Sequence, residues 1–145
     1  VADKDELLIL TADQVVVCHD KILEKPVDVS QAKEFVSMYC TDPPYTVGAV
    51  LLTHLPTGKS VSGVDVSTIH FDVNLPADEL VDTLVAEHEK NGSAPILSCA
   101  GGLMVEHPKV QKYITRIDGT QDGVMGLSKD LVLKLLDDMV EQLEK

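Results

Sequence analysis

Leu7-Leu8-Ile9-Leu10-Thr11-Ala12-Asp13-Gln14-Val15-Val16-Val17 is the most apolar stretch of this chain, and its length and β-branched content predict a buried strand. A carboxylate sits in its middle. Ionised Asp13 in such a strand would cost several kcal/mol unless it is paired, metal-bound or turned towards a wet cleft. Further on comes Glu24-Lys25-Pro26, where the proline biases Lys25 towards extended geometry and lets its ammonium project back towards the end of that strand. The two residues read either as a structural ion pair or as a phosphate-handling pair, since perturbed charge pairs mark sites only probabilistically.

Working outward, Asp28-Val29-Ser30-Gln31 has the form of a capping box, with Asp28 as cap and Gln31 reaching back, and opens a helix to about Tyr39. Thr41-Asp42-Pro43-Pro44 breaks it. Tyr45 to Leu55 and Ser60 to Val73 are strands around the turn Pro56-Thr57-Gly58-Lys59, an antiparallel hairpin. Pro76 opens a second helix through about Lys90, with Leu80, Leu84 and Val85 on its apolar side, ended by Asn91-Gly92-Ser93-Ala94-Pro95. Short strands are expected around Leu103 to Val105 and Tyr113 to Ile117. Ser128 caps a closing helix whose Leu131, Val132, Leu135, Leu136, Met139, Val140 and Leu143 form one apolar stripe, suited to the core or to a subunit contact. Strand, helix, hairpin, helix, strands and helix together imply an α/β fold, a mixed sheet flanked by helices.

Composition narrows the function. At 145 residues and 44% apolar the chain is the size of one domain with a real core. Its formal net charge is −12 and Arg116 is its single arginine, so it has no basic face for a nucleic-acid polymer or an anionic membrane. No apolar run approaches the roughly 20 residues that span a bilayer, and a cytoplasmic setting is expected. Any anionic ligand would be repelled by the global field, so local lysines and a divalent cation would have to bring it in. Cys18, Cys40 and Cys99 are widely spaced and lack a C-x-x-C pair, which points to free thiols. His19, His54, His70, His88 and His107 have no metal-ligand spacing and read as structural or surface residues.

Four motifs then stand in register: Thr11-Ala12-Asp13-Gln14-Val15-Val16, Glu24-Lys25-Pro26, Ala100-Gly101-Gly102, and Gly119 followed by Val124-Met125-Gly126-Leu127. In order and spacing the chain resembles the Maf-like (septum formation inhibitor) nucleotide pyrophosphatases over nearly all its length. The resemblance implies an inosine-triphosphatase-like fold over a single Maf-like domain, residues 1–145. Family members open with a strand and a Ser-x-Ser-x-x-Arg loop, which do not precede Val1, so the domain is expected to lack its first strand and to be N-terminally incomplete, whether as a fragment, a processed form or a shortened homologue.

The resemblance further implies cleavage of a nucleoside triphosphate to the monophosphate and pyrophosphate with Mg²⁺ or Mn²⁺, a house-cleaning activity, and a possible homodimer. Asp13 then corresponds to the family's proton acceptor or metal ligand, and Lys25 to its phosphate-neutralising lysine. Gly101 and Gly102 either bring backbone amides close to the ligand or simply form a turn. Gln14 and Glu106 match the pattern of the type acting on 7-methyl-GTP, whereas the thymidine/uridine-triphosphate type carries Thr and Gln there. The chemistry agrees: a guanine edge offers adjacent N1–H and N2–H₂ donors, which a carboxylate accepts. Against that, Glu106 beside His107-Pro108 also reads as a solvated loop residue. Where the family often has Ser-Gly-Arg-x-His this chain has Tyr39-Cys40-Thr41-Asp42-Pro43; Cys99, Gly123 and Ser128 stand where Lys, Asn and Pro are common. Several cationic groups are thereby lost, and a non-catalytic binding or regulatory module is the rival reading.

Overall fold

The computed structural model describes residues 7–92 and 95–145. Its elements are β1 (Leu8–Cys18), β2 (Lys21–Leu23), α1 (Val29–Met38), β3 (Tyr45–His54), β4 (Ser60–Phe71), α2 (Ala77–Asn91), two 3₁₀ turns (Ile96–Ser98 and Ala100–Gly102), α3 (Pro108–Gln111), β5 (Ile114–Asp118), α4 (Gln121–Val124) and α5 (Lys129–Glu144). One sheet runs in the order β2-β1-β3-β4-β5. The α/β class with a helix-flanked sheet is as expected, but every pairing among the described residues is antiparallel rather than mixed. Hairpin turns account for two of these pairings, since a short turn can only fold a strand back on its neighbour. His19 and Asp20, with φ of 57° and 59°, make the two-residue turn between β1 and β2.

Local signals were obeyed. The Gln31 amide donates to Asp28 Oδ1 at 2.8 Å, while Gln31 Oε1 accepts from the Val27 amide, one residue before the cap. α2 stops at Gly92, whose φ of 67° suits glycine. Ser93 and Ala94 of the expected helix stop lie outside the described residues. Ser128 Oγ accepts the Leu131 amide and opens α5. A strand over Leu103–Val105 is not formed. Met104 and Val105 turn into the core instead, and the His107 amide closes back on the Met104 carbonyl at 3.1 Å.

Side-chain alternation gives the sheet two unlike faces. Even positions of β3 and odd positions of β4 meet the helices. There Val16, Cys18, Ile69 and Phe71 pack with Val36, Tyr39, Leu80, Val81 and Leu84, and Val50 and Leu52 pack with Leu135 and Met139 of α5. Gly63 lets Leu131 close onto the sheet, because a Cβ there would lie 2.6 Å from its methyl. The α5 stripe is therefore core at Leu135 and Met139, but Val140 and Leu143 are exposed. The opposite face is bare: Ile9 and Leu51 are each 41% exposed, Val66 52% and Val64 63%.

β1 corrects the expectation of a buried strand. Its positions 8–13 are exposed and only Val16 and Cys18 are fully buried. The strand pairs with β3 along its length, but β2 covers its other edge only from Val16 onward. No helix among the described residues is long and apolar enough to cross a membrane.

Candidate active site

Where β2 ends beside β1 there is a cavity of about 430 Å³, lined by Asp13, Gln14, Glu24, Lys25 and Ala100 among others. Asp13 is exposed, so the desolvation cost that a buried strand would impose is absent; besides this cavity it lines one of about 370 Å³ on the bare sheet face, with Ala49, Leu51 and Val64. Its Oδ1 accepts the Gln14 amide at 2.8 Å. Among the described residues no ion pair joins it to Lys25, which removes the structural ion-pair reading. Both charged groups are available to a ligand that enters between them.

A second cavity, of about 210 Å³, adjoins the first through Gln14 and Ala100 and is also lined by Val16, Cys99, Glu106 and Met125. Glu106 is exposed on a turn, as a solvated loop residue would be, and also lines this cavity. Gln14 is held: its Nε2 donates to the Gly123 carbonyl at 2.6 Å. Because a carbonyl can only accept, this bond fixes which end of the amide is nitrogen and leaves Oε1 as the free acceptor. Gly123 must stay small, since a Cβ would come within 2.4 Å of Asp65 Oδ2. Cys99 lines the smaller cavity: burial pushes its thiol pKa up, Glu106 adds to the rise and Lys25 opposes it.

Gly101 and Gly102, with φ of 66° and 62°, directly follow Ala100, which lines both cavities. The expectation that their amides approach a ligand is not met. The Gly101 amide donates to the Glu24 carbonyl at 3.0 Å and the Gly102 amide to the Cys99 carbonyl at 2.9 Å. Their role is positional. The Gly101 carbonyl accepts the Tyr39 hydroxyl at 2.6 Å, and Tyr39 is buried against Phe71 with ring centroids 5.6 Å apart. The sequence reading met Tyr39 and Gly123 only as a helix end and as departures from the family pattern, and their contacts escaped it because each acts through a partner far along the chain.

A family model described as Maf-like protein matches residues 1–139. The chain is 32% identical over 134 residues to a 7-methyl-GTP pyrophosphatase from Dictyostelium discoideum, covering 92% of this chain and 62% of that protein. It is 31% identical over 136 residues to a dTTP/UTP pyrophosphatase from Bdellovibrio bacteriovorus, covering 92% of this chain and 65% of that protein. The chain thus spans a little under two thirds of these relatives' length. With four motifs converging on two joined cavities and a family match over almost its whole length, the chain belongs to the Maf-like protein family.

Proposed function

We propose that this chain acts as a nucleoside triphosphate pyrophosphatase, cleaving between the α- and β-phosphates of a modified nucleotide of the 7-methyl-GTP type. The observation that carries this reading is the junction of a charged cavity holding Asp13 and Lys25 with a smaller one holding Gln14 and Glu106. A triphosphate fits the first and its base the second. Asp13 accepts the proton of the attacking water on its free oxygen, and Lys25 neutralises charge on the departing pyrophosphate. The base cavity offers two side-chain acceptors, Gln14 Oε1 and the Glu106 carboxylate, which matches the two donors of a guanine edge. Glu106 also favours the positive charge of an N7-methylated ring.

A divalent cation, Mg²⁺ or Mn²⁺, belongs to this proposal. Among the described residues no three His, Cys, Asp or Glu converge, so the residues fit a cation that arrives with phosphate oxygens and water and is held by Asp13, not one sitting in a preformed cage. When bound it supplies Lewis-acid polarisation of the phosphate and a more acidic water. A homodimer and a cytoplasmic location complete the reading, to be tested by light scattering and fractionation.

Pyrophosphate release from a panel of triphosphates with Mg²⁺ or Mn²⁺ tests it directly, with 7-methyl-GTP expected to be the preferred substrate. Preference for dTTP or UTP would move the chain to the other type named among its relatives. A non-catalytic nucleotide-binding module is the second reading, favoured by Lys25 being the one cation among the described residues lining the larger cavity. Binding without pyrophosphate release would establish it.

A further inference from the structure

Glu106 is a flexible side chain that must meet two adjacent donors, so its usefulness depends on where its backbone is held. On one side Met104 and Val105 are buried in the core. On the other, His107 is tied by both ring nitrogens. Its Nδ1 accepts the Lys109 amide at 3.1 Å, which caps α3. With Nδ1 accepting, the ring proton is on Nε2, which donates to Glu87 Oε2 of α2 at 2.8 Å. The other oxygen of Glu87 takes the Lys109 ammonium. Lys109 first, and His107 after it, hold the Glu87 carboxyl below the usual range against the opposing effect of burial. The imidazole and the carboxylate are largely covered, with 15% and 23% of their side chains exposed.

We propose that Glu87 is a positioning residue for base selection: through His107 it fixes the 104–107 turn on α2, and so holds Glu106 in the cavity it shares with Gln14. This rests on the reading of Glu106 as a base-reading residue. A small displacement of such a group costs selectivity out of proportion to its size, because the hydrogen bonds it makes are directional. The phosphate side, built on β1 and the end of β2, is independent of this link.

The test is equilibrium binding of 7-methyl-GMP and UMP, which needs no turnover. Glu87→Leu is expected to lower the preference for 7-methyl-GMP roughly five- to tenfold, about the effect of one hydrogen bond, while UMP binding stays within about twofold. Glu87→Gln, which keeps an acceptor for Nε2–H, should retain most of the preference. His107→Asn preserves a capping side chain for α3 but cannot reach Glu87, and should match Glu87→Leu; it also serves if the leucine variant fails to fold. Combining Glu87→Leu with Glu106→Gln should add nothing beyond Glu106→Gln. An unchanged preference in Glu87→Leu or His107→Asn, with a lowered one in Glu106→Gln, overturns the positioning role alone. No change in Glu106→Gln overturns the base-reading role itself, and this proposal with it.

Discussion

The two joined cavities are held by opposite means. In the larger one Asp13 and Lys25 are exposed and, among the described residues, make no ion pair, so a ligand meets charges without an ion-pair partner there. In the smaller one Gln14 is bonded to Gly123, and Glu106 lies between a buried pair and a histidine tied to α2. Loose charges suit a flexible triphosphate that brings its own cation, whereas acceptors carried on a held backbone suit the reading of a rigid base. Perturbing the first should change turnover on every substrate, and perturbing the second should change the ranking of substrates.

The largest expected effect is that of Asp13→Asn, a change of charge without change of volume. Turnover should fall by roughly 10²–10⁴-fold, the worth of a general base, on all triphosphates, while the thermal midpoint holds. Wild-type kcat in the folded variant would remove Asp13 from the chemistry; a loss that only tracks unfolding would make it structural.

Gly101→Ala attacks the turn behind Ala100, a residue that lines both cavities. Alanine would sit at a φ of 66° with its Cβ 2.5 Å from the Tyr39 hydroxyl. A cost of about 1–3 kcal/mol in urea-unfolding stability is expected, with binding of every base weakened together. An unchanged midpoint would mean that the turn yields.

Much of this architecture was legible in the chain. Asp28, Ser128, Gly92 and Pro56-Thr57-Gly58-Lys59 announce ends and turns by chemistry confined to a few residues, and the elements they bound are where expected. The exposure of β1 was not legible, because its composition states only that Leu8, Ile9 and Leu10 are apolar, and what covers them is decided elsewhere. The same limit hid the links that hold the site. Gln14 and Gly123 are 109 residues apart, and Tyr39 and Gly101 are 62 apart. Asp13, Lys25, Gln14 and Glu106 could be picked from motifs, but not the Gly123 carbonyl that holds Gln14 or the His107–Glu87 link beside Glu106.

Lys25→Met sharpens the contrast from the phosphate side. Triphosphate binding should weaken about tenfold to the same degree for guanine-type and pyrimidine nucleotides, because the lost interaction is with phosphate charge. Titration with 7-methyl-GTP and UTP checks it, and a loss confined to one base would join the two cavities functionally.

The division of labour between the cavities is tested most directly by the ratio of kcat/KM for 7-methyl-GTP to that for UTP in Glu106→Gln. The amide supplies a donor where the carboxylate had only acceptors, so the ratio should fall by roughly five- to tenfold, with activity on UTP kept or raised. The shift should be partial, because Gln14 remains fixed on Gly123. An equal loss on both substrates would contradict the account, placing Glu106 with the phosphates or the cation rather than with the base.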